Sequence, residues 1–270
     1  MFLELSKSNV LWKKFCVKDN FTHLGIEFCC YNKYKTCYIL DNFLNKYRMN
    51  LENAFYGETL ELYNNNLPVL PAEIGALTNL HSLGLSYNNI SALPVEISAL
   101  TNLRNLWLYN NEISALPEEI GALTNLRILD LFNNKISEIP IEIGALTNLR
   151  SIQLNNNNLS VLPSEIGALT NLHRLELSYN NISALPVEIK TLTNLQYLSL
   201  NNNKLSALPA KIGALTNLNR LWLNNNNLSV LPIEIGALTN LQYLDLTCNN
   251  LSENLEISTL KNLYNLCCTI

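Results

Sequence analysis

The string Leu-Thr-Asn-Leu begins at residues 77, 100, 123, 146, 169, 192, 215 and 238, always 23 residues apart. A fixed period of this length constrains the fold more than any single motif. One copy is too short to bury its own apolar face, so successive copies must stack and share a continuous core. The unit LTNLHSLGLSYNNISALPVEISA, from Leu77 to Ala99, recurs with few changes in nine successive units. The first, 54–76, opens on Ala-Phe-Tyr-Gly but keeps Leu60, Leu62, Asn65 and Leu67. The ninth, 238–259, is one residue short, and a tenth starts at Leu260 and stops at Ile270. Degenerate ends are expected, because terminal units must cover exposed core. The repeat also explains why Leu and Asn together fill 100 of 270 positions, with 56 and 44 copies. A chain this rich in Leu is not disordered.

The letters of the unit carry a physical reading. In Leu80-His-Ser-Leu83-Gly-Leu85 the period-2 alternation predicts a short strand with Leu83 and Leu85 inward, and stacked units pair these strands in parallel. A column of Asn follows each strand: Asn65, Asn88, Asn111, Asn134, Asn157, Asn180, Asn203, Asn226 and Asn249. There the chain turns inward, and the amide can satisfy backbone groups that would cost about 1–3 kcal/mol each if buried unpaired. Eight of the nine prolines share another column, Pro71 to Pro232, followed in most copies by xEIGALTNL. Proline suits a first helical turn and the Glu two residues later suits its positive end, so each unit should carry one short helical turn. The Glu column then reads as a capped, solvated face rather than a metal-binding row. Gly75 and its equivalents sit in that turn, but Ser98 and Lys190 fill the same position, so glycine is not obligatory.

The pattern LxxLxLxxNxI resembles the leucine-rich repeat family, and the LPxEIGxLTNL half is similar to the 23-residue intracellular Ras-binding-group type. The resemblance implies an α/β solenoid: a horseshoe with a parallel concave sheet, short helical convex turns and an asparagine ladder. It implies protein–protein recognition on the concave face without a cofactor.

Function belongs where the units differ. Before the first strand leucine the chain reads Thr59, Ser82, Asn105, Ile128, Ser151, Arg174, Tyr197, Arg220, Tyr243; between the two leucines it reads Glu61, Gly84, Trp107, Asp130, Gln153, Glu176, Ser199, Trp222, Asp245. After them come Tyr63, Ser86, Tyr109, Phe132, Asn155, Ser178, Asn201, Asn224 and Thr247. Outward Trp, Tyr and Arg on a rigid sheet are the residues that most often carry interface energy. Two groups of candidate partner-binding residues emerge: Trp107, Tyr109, Asp130 and Phe132, then Arg174, Glu176, Tyr197, Arg220, Trp222, Tyr243 and Asp245. The bland alternative is drift among duplicated units, with Arg174, Glu176 and Arg220 pairing across strands for about 0.2–1 kcal/mol per pair.

Residues 1–53 lack the repeat and hold 8 Lys+Arg against 5 Asp+Glu, whereas residues 54–270 hold 10 against 17. This predicts two segments, an amino-terminal helical cap over 1–53 and a repeat domain over 54–270. Phe2–Leu5 and Asn42–Arg48 have apolar spacing compatible with short helices. The stretch from Ser8 through Leu11-Trp12-Lys13 to Cys16 and Asp19 resembles the last part of an F-box. That resemblance implies docking on a ubiquitin-ligase adaptor, with the repeats as substrate receptor, although the earlier F-box helices have no counterpart in the sequence.

An overall charge of −4 and a pI near 5.5 give no reason to bind nucleic acid or an anionic membrane. The amino terminus lacks the features of a secretory signal, and no apolar run approaches a membrane span. The expected location is the cytoplasm, the host's if the source is a virus. The seven cysteines, in no disulfide or zinc spacing, read as reduced and partly buried thiols. The Asn-x-Ser sequons are by-products of the repeat. No GxxxxGK[ST], GxSxG or HExxH motif occurs, and His23, His81 and His173 are too far apart for a shared metal. No metal, cofactor or catalysis is expected.

Overall fold

The structure is a computed structural model that describes residues 39–49, 51–251, 260, 263 and 265–267. The chain divides into two units, Met1–Asn53 and Ala54–Ile270. In the first, residues 39–46 are helical, with Leu40 and Leu44 fully buried and Phe43 meeting Tyr47 edge to face at 5.3 Å. The predicted Asn42–Arg48 helix is therefore present, shifted towards the amino end and closed by Arg48 at φ 59°. Phe2–Leu5 and the F-box-like Ser8–Asp19 stretch lie outside the described residues.

A six-residue helix, Leu51–Tyr56, precedes the repeats. Each unit then contributes one three-residue strand: β1 Thr59–Glu61, β2 Ser82–Gly84, β3 Asn105–Trp107, β4 Ile128–Asp130 and β5 Ser151–Gln153. There follow β6 Arg174–Glu176, β7 Tyr197–Ser199, β8 Arg220–Trp222, β9 Tyr243–Asp245 and β10 Asn265–Cys267. All ten form one open parallel sheet in sequence order. Register keeps the repeat columns intact: Leu60 faces Leu83, Leu83 faces Leu106, and so on to Leu244 against Leu266.

The inward columns form the core. In the unit Leu77–Ala99, the residues Leu77, Leu80, Leu83, Leu85, Ile90 and Ile97 are fully buried and Leu93 is 6% exposed. Opposite the sheet, eight 3-10 turns run from Ala72–Ala76 to Ile233–Ala237 among the described residues. Each follows a proline in extended conformation that acts as N-cap, such as Pro71 at φ −70° and ψ 148°, and each tucks one Ile inward. Proline thus stands one residue before the turn rather than within it. The Glu column occupies the first turn, but no side chain caps the turn there, so the predicted capping is replaced by backbone bonds such as Ile74 N–H to Pro71 carbonyl at 3.0 Å. Neighbouring turns pack so closely that a Cβ on Gly75 would lie 2.6 Å from the Glu96 carbonyl.

The asparagine column forms the ladder. Asn180 Oδ1 accepts the Leu159 N–H at 3.0 Å, while its Nδ2 donates to the Leu154 carbonyl at 2.9 Å and to the Leu177 carbonyl at 3.0 Å. Each rung therefore ties its own turn to the turn one unit before it, and the pattern holds from Asn88 to Asn249. The Asn65 side chain, in the first unit, donates to the Tyr63 carbonyl at 2.9 Å and to no other group among the described residues.

Two further asparagine columns have structural duties that the sequence did not announce. The Asn of each Leu-Thr-Asn-Leu donates to a carbonyl one unit back, as Asn148 does to Thr124 at 2.9 Å, giving a second, exposed ladder. The residue before each buried rung is left-handed, with φ between 54° and 56° at Asn64, Tyr87, Asn110, Asn133, Asn156, Tyr179, Asn202, Asn225 and Cys248. Asn is the non-glycine residue that tolerates this conformation most readily, which explains six of those nine residues. Cys248 and Cys267 are free and exposed, not partly buried as expected; Cys248 takes the place of an asparagine in the left-handed column. The other cysteines lie outside the described residues.

Candidate functional site

Because strand side chains alternate, the three variable columns share the solvent face of the sheet. In its second half they make a continuous stack. The Arg174 guanidinium lies over the Tyr197 ring, 4.2 Å from its centroid. Tyr197 lies against Trp222 at 4.2 Å with planes tilted by 37°, and Trp222 against Tyr243 at 5.0 Å with a tilt of 36°. The stack crosses β6 to β9, roughly 14 Å at ordinary strand spacing. All three aromatic residues remain part-exposed.

Charged groups flank it. Arg174 Nε donates to Glu176 Oε1 on the same strand, and Glu176 also receives Asn155 Nδ2 from the neighbouring strand's end. The cross-strand pairing of Arg174, Glu176 and Arg220 considered from sequence does not occur: among the described residues the ion pair is Arg174–Glu176 and Arg220 has none. Burial raises the Tyr197 hydroxyl above its usual range, reinforced by the Glu176 charge and opposed by Arg174 and Arg220. Tyr243 is raised by burial first and by Asp245 next. Asp245 Oδ1 accepts the Thr247 N–H at 3.0 Å and the Thr247 hydroxyl at 2.8 Å, so that carboxylate is held in place.

The first group is looser. Trp107 is half-buried and faces Asp130 in register. Asp130 is only 9% exposed, although its position points outward, and its Oδ1 accepts the Phe132 N–H at 3.1 Å. Burial raises the Asp130 carboxyl above its ordinary range; the Phe132 hydrogen bond opposes this and the Glu176 charge adds to it. Phe132 is 39% exposed. Tyr109 meets Tyr87 edge to face at 5.2 Å. Tyr87, in the left-handed column, was missed from sequence because its place marks it as turn rather than sheet face. Between the groups, Asn155 is occupied with Glu176 and with the Ser178 N–H, and Asn201 accepts the Ser178 and Ser199 hydroxyls. Near β1 and β2, the Tyr63 ring fills the space above Gly84. Among the described residues no group of three or more His, Cys, Asp or Glu could hold a metal ion, and no helix is long and apolar enough to cross a membrane.

A profile described as "leucine-rich repeat region" matches residues 95–177 and 141–270. The chain is a leucine-rich repeat protein. Similar solved structures include a leucine-rich repeat protein of Leptospira interrogans, 37% identical over 78% of this chain and 60% of that one, with a TM-score of 0.64. An internalin of Listeria monocytogenes is 28% identical over 77% of this chain and 60% of its own, with a TM-score of 0.69. The ectodomain of a plant membrane receptor kinase from Arabidopsis thaliana, solved in complex with Casparian strip integrity factor 2, is 31% identical over 74% of this chain and 25% of its own, with a TM-score of 0.68. This leucine-rich repeat chain thus spans about 60% of the first two and a quarter of the third. No curated protein matches its sequence.

Proposed function

We propose that the chain is a protein-binding module that holds its partner on the solvent face of the sheet, with Trp222 at the centre of the contact. The supporting observation is the Arg174–Tyr197–Trp222–Tyr243 stack, because part-exposed Trp, Tyr and Arg held rigidly side by side lose little entropy when covered. The receptor ectodomain named above, solved with a bound factor, supports a solenoid of this kind as a recognition surface. Trp107 and Phe132 form a second, weaker anchor. Nothing in this reading requires a cofactor or a catalytic step. The test is partner capture from the native cell by the full chain and by the Trp107→Ala/Trp222→Ala variant. Loss of a reproducibly captured protein, with folding retained by circular dichroism, supports the reading; equal capture contradicts it.

A second reading, substrate receptor of a ubiquitin ligase, rests on the F-box-like Leu11–Asp19 stretch. It predicts that the full chain binds a ligase adaptor and that a chain lacking residues 1–53 does not.

A further inference from the structure

One column beside the sheet face departs from the framework in a way the aromatic groups do not explain. The residue after each Leu-Thr-Asn-Leu, just before the strand, reads His81, Arg104, Arg127, Arg150, His173, Gln196, Asn219 and Gln242, with Glu58 in the first unit. Five successive units carry Arg or His, and the middle three carry Arg. The backbone holds this column in strict register. The Arg127 and Ile128 N–H groups both donate to the Arg104 carbonyl, at 2.7 and 3.0 Å, and the Arg150 and Ser151 N–H groups to the Arg127 carbonyl, at 2.8 and 3.1 Å. Neighbouring side chains therefore start about 4.8 Å apart, and the ridge from His81 to His173 is roughly 19 Å long.

Arg104, Arg127 and Arg150 are exposed, and among the described residues none of them forms an ion pair. His81 lies 3.8 Å from Glu58 at one end, and at the other the His173 ring is oriented by a 2.7 Å bond from Nδ1 to the Asn171 carbonyl. Like charges on facing strand positions repel, so the row is unfavourable for the isolated solenoid. It also opposes the sign of its own domain, where residues 54–270 hold 10 Lys+Arg against 17 Asp+Glu. The framework does not demand it, since Gln196, Asn219 and Gln242 fill the same column in later units.

We propose that this ridge docks an extended acidic peptide segment of a protein partner. About six residues of extended chain, at about 3.3 Å each, match its length. A short run of Asp or Glu would supply the missing counter-charge, while the net acidity of residues 54–270, 10 Lys+Arg against 17 Asp+Glu, disfavours a polyanion longer than the ridge such as a nucleic acid. The ridge builds on the reading of the chain as a protein-binding module but uses a different set of residues, so either can fail alone.

The test is fluorescence anisotropy of a labelled peptide of about eight glutamates, titrated with the full chain. Wild type should bind, and binding should fade as NaCl rises from about 0.1 M to about 1 M, where the Debye length drops from about 10 to about 3 Å. The Arg104→Gln/Arg127→Gln/Arg150→Gln variant, neutral as later units are, should bind about tenfold or more weakly, with an unfolding midpoint no lower than wild type because the repulsion along the row is relieved. Trp107→Ala/Trp222→Ala should bind the peptide as wild type does, whether or not it still captures the sheet-face partner. Unchanged affinity in the triple-Gln variant overturns the proposal. So does tighter, ridge-dependent binding of a short oligouridylate, or a ridge-dependent dimer in sedimentation, which would assign the ridge to nucleic acid or to a second copy.

Discussion

The two sides of each three-residue strand obey different rules. Leu106, Leu175 and Leu221 point inward, are fully buried, and are interchangeable from unit to unit. Their outward neighbours Trp107, Glu176 and Trp222 are one covalent step away in a column that also holds Gly84, Asp130 and Ser199, and so varies widely in size and charge. The inward side must satisfy a core that each unit shares with the next, so any departure leaves a void or an overpacked contact. The outward side answers to solvent or to a partner, so duplicated units can diverge there without loss of the fold. Repetition in this molecule marks structure, and departure from it on the sheet face marks where a partner can be accommodated without disturbing the core.

That contrast can be strained from several directions. The largest effect should come from breaking the buried ladder. Asn180→Ala removes the partners of the Leu159 N–H and of the Leu154 and Leu177 carbonyls, which should cost about 3 kcal/mol or more in urea unfolding. The exposed ladder is a milder version of the same design: Asn148→Ala, which frees only the Thr124 carbonyl to water, should cost about 0.5–1.5 kcal/mol. A gain is expected where a framework column has been given up. Tyr179→Asn restores the residue best suited to φ 55° and loses an exposed ring, so it should stabilise by about 0.5–1 kcal/mol.

The smallest effect should be Asp130→Asn, and it depends on pH. The folded-state pKa of Asp130 lies above its ordinary 3.8, so ionising it costs stability as pH rises through and beyond that value. The amide should raise the thermal midpoint at pH 7, and the gain should vanish well below the ordinary value of 3.8, where the carboxyl is protonated in both states. Melting curves of both proteins across that range check it.

The fold was almost wholly legible in the sequence, because a 23-residue period with Leu, Asn and Pro in fixed columns leaves one way to stack. Asn180 could be read as a ladder residue since its place after the strand turns inward. Asn148 could not, because an exposed Asn identical in every unit looks like loop composition until the Thr124 carbonyl is seen beside it. The left-handed column was hidden in the same way, because Tyr87 and Tyr179 fall where the chain leaves the strand and outside the three outward columns, although both are exposed aromatics. On the sheet face the columns named Tyr197, Trp222 and Tyr243, but adjacency in a column does not fix ring orientation, and only the structure places them in one stack with Arg174 above. The Arg104–Arg150 ridge is not marked by strand alternation, because it lies one residue outside the columns that alternation defines.

The most direct measurement compares Trp222→Ala with wild type in two readings on the same samples: calorimetric affinity for the captured partner, and urea unfolding. Losing two aromatic contacts should cost about 1–3 kcal/mol of stability and leave the solenoid folded, while affinity should fall by about 30-fold, the scale of a central interface residue. Undiminished affinity in a folded Trp222→Ala protein would contradict the claim that the divergent side of the strands is where this protein recognises its partner.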